Sequence, residues 1–149
     1  MPSKSQLYAF CEAYIEDRLS RIQKNIGDVQ HSLTAETKSS AGDKHETGRA
    51  MLQLEREKLG SQLAEAENQR RLLLRVPVKG SSEKITLGTR IKTSQHEYYL
   101  AISAGCCKVG DSEVFCISPG SPIGRLLMGK SKGDTLEFQG NKIKIVDLE

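Results

Sequence analysis

The sequence has no tryptophan and only 5% aromatic residues, so any compact core must be aliphatic and modest in size. At 149 residues, about one ordinary domain, that excludes a large catalytic barrel. Nowhere does an apolar run approach the roughly 20 residues that a membrane-spanning helix needs. The opening segment, MPSKSQLYAFCEAYIEDRL, turns charged before any apolar stretch reaches signal-peptide length. A soluble protein of the reducing cytoplasm, with no membrane partner, is expected. An excess of charge is also lacking: 22 Lys and Arg against 19 Asp and Glu leave +3, too little for a nucleic-acid coat or a polybasic membrane patch. Contact with a polyanion would have to be local. Cysteine is present, as Cys11, Cys106, Cys107 and Cys116, but without C-x-x-C spacing or a nearby histidine cluster. That pattern speaks against zinc and for ordinary buried thiols.

Proline occurs only at Pro2 before Val76-Pro77, and Glu, Gln, Lys, Arg, Leu and Ala dominate that half, which reads as helical. Beyond it come three more prolines, most of the glycines and β-branched runs such as ITLGTRIKT, EVFCI and KIKIVDL, which read as short strands between turns. The chain therefore divides into residues 1–75, a helical arm, and residues 76–149, a small strand-rich domain.

Within the arm, Ile15, Leu19, Ile22, Ile26, Val29 and Leu33 recur at spacings of 4 and 3, an apolar seam of heptad period that requires a partner helix. A second seam of the same period runs Leu52, Arg56, Leu59, Leu63, Ala66, Arg70 and Leu73. Between them TAETKSSAGDKHETG is polar and breaks helix at Ser39, Ser40, Ala41 and Gly42, so the parsimonious fold is an antiparallel hairpin. A helix over 44–75 would be about 48 Å long, against a diameter of about 25 Å for a globule made of 76–149. The hairpin is thus expected to extend beyond it. A hairpin seam and a dimer seam share one period, so the sequence leaves the oligomeric state open.

Asp43 and Glu46, three residues apart, open the second helix. D-x-x-E is a variant of the capping box, and both acids complement the positive end of the helix dipole, each by roughly 0.3–1 kcal/mol. The same pair can add oxygen ligands to a divalent cation held mainly by something else. Mg²⁺ suits this, since it prefers hard oxygen ligands and keeps several waters. Two carboxylates do not make a strong Mg²⁺ site alone, so another macromolecule would have to complete it. Lys38, Lys44, His45 and Arg49 surround the acids, either simply solvated or placed to attract phosphates.

GDKHET resembles the G-D-x-x-E-N tip of the Gre-type transcript cleavage factors of bacterial RNA polymerase, with Asp43 and Glu46 on the acid positions. SPIGRLLMGKSKGDTLEF, residues 121–138, is similar to that family's S-P-[IL]-x-R-A-L-[LI]-G-K-x-x-G-D stretch, and KIKIVDLE to its terminal strand. The resemblance implies an α+β protein: an N-terminal antiparallel coiled coil followed by a small FKBP-like domain. It implies docking at the polymerase's secondary channel through the Ser121-Pro122 corner, with the coiled coil reaching the active site. There Asp43 and Glu46 would help hold the second Mg²⁺ and orient a water toward the nascent RNA 3′ end of a backtracked complex. On that reading the chain is not an enzyme in isolation and holds no Mg²⁺ stably by itself.

After the second acid the family commonly continues Asn, Ala, Glu, Tyr, whereas this chain has Thr47, Gly48, Arg49 and Ala50. That departure supports an alternative, a channel-binding regulator or inhibitor without cleavage. A third reading, from another class, is a coiled-coil adaptor whose acids are only a helix cap. The family's Thr-Pro-Glu-Gly type opening is missing, which implies a first helix that begins and packs differently, and Gly120 stands where Asp or Asn is usual. In 76–149, ITLGTRIKT, EYYLAIS and EVFCIS read as strands, with a hairpin about Gln139, Gly140 and Asn141. Ser121 then Pro122 reads as the cap and first turn of a short helix through Leu127, with Gly129 as its stop. An FKBP-like fold raises prolyl isomerase activity as a rival. The aromatic supply beyond residue 76, Tyr98, Tyr99, Phe115 and Phe138, is thin for its pocket.

Overall fold

The computed structural model describes residues 2–37 and 43–149, with 37 and 43–45 described by backbone alone. Two long helices, α1 (Lys4–Thr37) and α2 (Asp43–Leu74), precede a sheet domain. Helix α1 starts at a reciprocal cap: Gln6 N–H donates to Ser3 Oγ at 3.1 Å and Ser3 N–H to Gln6 Oε1 at 2.8 Å. This is a capping box of S-x-x-Q form. The reversal read at Ser39, Ser40, Ala41 and Gly42 lies outside the described residues, as does Lys38.

The helices run antiparallel. Tyr8 near the start of α1 donates its hydroxyl hydrogen to Leu73 O at 3.3 Å near the end of α2. Further along, Arg18 donates to Gln69 Oε1 and lies 3.7 Å from Glu65. Toward the other ends, a methyl placed on Gly48 would lie 3.7 Å from a Glu36 carboxylate oxygen. In α1 the predicted seam is buried at Ile15, Leu19, Ile22 and Leu33 and half-buried at Ile26 and Val29. It also extends backward through Cys11 and Leu7, both fully buried. In α2, Leu59, Ala66 and Leu73 are buried and Leu52, Arg56 and Leu63 half-buried, but Arg70 is exposed. Its place is taken by Gln69, half-buried under Arg18. A guanidinium gains nothing from the dry side of a seam when a neutral amide one position earlier can hydrogen-bond across it.

The remaining elements are β1 (Arg90–Thr93), β2 (Glu97–Leu100), β3 (Gly105–Val109), β4 (Ser112–Ile117), α3 (Pro122–Leu127), β5 (Thr135–Phe138) and β6 (Asn141–Leu148). They form one six-stranded sheet in the order β3-β4-β2-β1-β6-β5, antiparallel except where β2 pairs with β4. The β5–β6 turn, expected about Gln139, Gly140 and Asn141, is a two-residue loop with Phe138 opposite Asn141. Gln139 and Gly140 have φ of 52° and 80°, the left-handed pair of a type I′ turn. Two strand expectations change. ITLGTRIKT is strand only from Arg90, because Gly88 sits at φ 91° with its backbone against Pro77 O. GCCKV, not read as a strand, forms the edge strand β3, joined to β4 by a turn at Gly110, φ 59°.

One face of the sheet packs Ile85, Ile91, Tyr98, Leu100, Leu136, Ile143 and Ile145 against Ile123 and Leu127 of α3. Strand alternation turns Tyr99, Cys107, Val114 and Cys116 the other way, and all four are buried. Cys11 of α1 meets Cys116 there. The fold class is the expected α+β: a helical hairpin followed by a small sheet-and-helix domain of FKBP-like type. By packing, the chain forms two compact units, residues 1–14 with 70–149, and residues 15–69. The first turns of α1 and the last of α2 thus belong with the sheet.

Candidate functional site

Asp43 is the first residue of α2, and Glu46 follows one turn later with its side chain exposed. The side chains of Asp43, Lys44 and His45 lie outside the described residues. Thr47 is exposed, whereas Gly48 and Arg49 are half-buried, Gly48 beneath Glu36 of α1. Glu46 therefore offers a carboxylate to solvent at the positive end of a 32-residue helix. Among the described residues no group of three or more His, Cys, Asp and Glu is placed to hold a metal ion. An exposed carboxylate at the head of a helix fits a shared divalent cation, as an added oxygen ligand, and does not fit a resident one.

Ser121 and Pro122 stand at the other candidate region. Ser121, extended at φ −69° and ψ 157°, caps α3: its Oγ accepts from Gly124 N–H at 3.1 Å and donates to Ser118 O at 2.7 Å. Both hydrogen bonds hold the local fold, so this hydroxyl is a structural group. Pro122, Arg125, Leu126 and Met128 are exposed around it and form the surface that this cap positions. Gly124 is what the sequence reading passed over: a Cβ there would fall 2.0 Å from Ser118 O. Only its lying three residues after a serine cap hinted at so tight a turn. Gly129, read as the helix stop, follows the C-cap Met128 at φ 82°. The two candidate regions belong to different compact units.

The clefts of the sheet domain are polar. One of about 140 Å³ is lined by Lys4, Lys79, Ser81, Thr86 and Thr89 among others, another by Arg90, Lys92, Glu97 and Asp147. Neither carries an aromatic wall of the kind a prolyl isomerase would need. Tyr98 and Phe115 are instead occupied with His96, whose ring lies edge-on to both at 6.3 and 5.2 Å between centroids. No helix among the described residues is long and apolar enough to cross a membrane.

Taken together, the arrangement is an antiparallel helical hairpin with an exposed acid at the head of its second helix, carried in one chain with a small sheet domain. No protein-family model and no curated protein matches the chain. Among solved structures it is similar to the GreA factor homolog 1 (Gfh1) protein of Thermus thermophilus, at 20% identity over 91% of this chain and 92% of that one, with a TM-score of 0.38. It is likewise similar to a second structure, of the transcription factor Gfh1, at 21% identity over 90% of both chains, with a TM-score of 0.36.

Proposed function

We propose that this chain is a Gre-like transcription elongation factor that enters the secondary channel of bacterial RNA polymerase and stimulates Mg²⁺-dependent cleavage of backtracked RNA. What carries the reading is the G-D-x-x-E acid pair, Asp43 and Glu46, opening the second of two antiparallel helices with Glu46 in solvent. The SPIGRLLMGKSKGD stretch supports it, because the Ser121 cap makes its corner a rigid, exposed shape suited to docking. The protein supplies groups and the polymerase supplies the reaction, so the chain is not itself an enzyme, and it works in the cytoplasm.

In that role a Mg²⁺ ion, held mainly by the polymerase, would supply charge stabilisation and a water of lowered pKa. Asp43 and Glu46 would add oxygen ligands and orient that water toward the nascent RNA 3′ end. Placement by a helix rather than a loop fixes their geometry, where most of the rate gain of a positioned reactant originates. The second reading is a channel-binding regulator without cleavage. Gly48 favours it, since it lies in the second turn after the acids and costs about 1 kcal/mol of helix propensity relative to Ala.

The deciding experiment uses stalled, backtracked elongation complexes with labelled RNA, Mg²⁺ and either the wild-type chain or the Asp43→Asn, Glu46→Gln double variant. Release of a short 3′ fragment by the wild type alone, with both proteins binding polymerase, establishes the cleavage role. Binding without stimulation would establish the regulator instead. Absence of binding by the wild type would overturn both and leave the adaptor reading.

A further inference from the structure

Three of the four cysteines lie together in the interior. Cys11 is fully buried on α1, in the stripe with Leu7, and belongs to the same compact unit as the sheet. Cys116 is buried on β4, where it stands opposite Gly105 of β3 and beside Tyr99 of β2. Cys107 is buried two positions along β3 from Gly105, on the same face, while Cys106 points to the other face and is half-exposed. All four are free thiols. Cys11 and Cys116 are within hydrogen-bonding reach of each other, and the N–H of Ile102 also reaches Cys11. The Tyr99 hydroxyl, enclosed in the same layer, has no hydrogen-bond partner. The chamber is therefore dry and poor in polar groups, and each of the two thiols has the other as its principal polar neighbour.

We propose that Cys11 and Cys116 form a reversible disulfide that fastens the first turns of α1 to β4, making this layer a thiol-oxidation site. The hydrogen bond from Cys116, opposed by burial and aided by the Ile102 N–H, holds the Cys11 thiol below its ordinary value. The same bond and burial push Cys116 up. Cys11 is then the attacking sulfur and Cys116 the resolving one. The oxidant is a small-molecule disulfide such as oxidised glutathione. The Cys11 thiolate attacks it and forms a mixed disulfide, releasing one small thiol. The Cys116 sulfur then displaces the second. Two S–H bonds are broken and one Sγ–Sγ bond is formed, and the two electrons and two protons leave on the two molecules of small thiol. Access requires the first turns of α1 to lift, an opening that a chain terminus makes at low cost. Oxidation is therefore slow compared with that of an exposed thiol such as Cys106.

The test equilibrates the full-length, fully reduced chain with glutathione buffers of rising oxidised fraction, then alkylates remaining thiols and maps them by mass. The expected product is lighter by about two mass units, keeps Cys106 and Cys107 alkylatable, and yields one cross-linked pair of peptides containing Cys11 and Cys116. Because the closed loop spans roughly 100 residues, its thermal midpoint rises by about 10 °C and falls back on adding dithiothreitol. Cys106→Ser leaves this unchanged, and Cys11→Ser abolishes it. Four alkylatable thiols in the most oxidising buffer, a linkage through Cys106 or Cys107, or a midpoint that does not rise would each overturn the proposal. The wild-type map decides the matter even where Cys11→Ser fails to fold.

Discussion

Gly124 has no room for a side chain. Ser118 O lies 2.0 Å from where its Cβ would be, and that oxygen is fixed by the Ser121 hydroxyl. Backbone rather than a flexible side chain is in the way, so Gly124→Ala must break the cap or shift the turn. A loss of about 2–3 kcal/mol is expected, read from the urea midpoint. A loss below about 0.5 kcal/mol would show that the turn yields more easily than its geometry allows. Tyr99 is the opposite case, a phenol whose hydroxyl is buried without a partner. Removing an unpaired polar group from a dry site recovers its desolvation cost, so Tyr99→Phe should raise stability by up to about 1 kcal/mol. A clear loss on the same measurement would mean that the hydroxyl has a partner, such as an ordered water. The Ser121 cap was legible in the sequence because caps are chemistry between neighbours. The need for glycine at 124 and the orphaned Tyr99 hydroxyl depend on where distant backbone and strands come to rest, which residue types alone do not encode.

Among the elements, the helices were the most legible, since a heptad seam repeats one physical requirement many times. Where the reading slipped, a long polar side chain was the reason. Arg56 keeps a seam position because Gly60 leaves space for its guanidinium, 3.2 Å from where a Cβ would stand, whereas Arg70 swings outward and Gln69 replaces it. The seam's backward extension was masked because Cys11 does not register as part of a leucine and isoleucine pattern. Strand β3 was missed for a similar reason: GCCKV is short, sits at the sheet edge and starts with glycine, so it lacks the β-branched signature of its neighbours. At Gly27, by contrast, a Cβ would meet nothing within 4 Å, and the residue lies in the interior of α1. Glycine there only adds unfolded-state entropy, so Gly27→Ala should stabilise the protein by about 0.5–1 kcal/mol. An unchanged or lowered urea midpoint would mean that α1 bends at that point.

At the scale of the whole molecule, the hairpin and sheet domain were legible as a composition change, but their packing into compact units was not. Residues 1–14 join the sheet through buried positions such as Cys11 that carry no local sign of their partner. This packing gives the molecule an alkaline weakness. Burial raises the phenols of Tyr98 and Tyr99 and the thiol of Cys107, and a hydrogen bond from Cys11 together with burial raises Cys116. Ordinary values are 9.0 for the thiols and 10.0 for the phenols, so the unfolded chain gives up these protons first. A group whose folded value is raised stabilises the fold fully below its unfolded value, and that contribution drains away as pH climbs toward the folded one. Cys11 and Lys4 are shifted down and act in the opposite sense, Lys4 weakly because it is only partly enclosed. Four raised groups outweigh two lowered ones. Unfolding midpoints of the reduced protein should therefore hold level from about pH 6 to 8 and fall steadily above about pH 9. Tyr99→Phe should make the fall shallower, because it removes one of the four without disturbing the others. A midpoint that rises between pH 9 and 10.5, or an identical slope in Tyr99→Phe, would mean that the phenol ionises as freely in the fold as in water, which its burial in the thiol layer forbids.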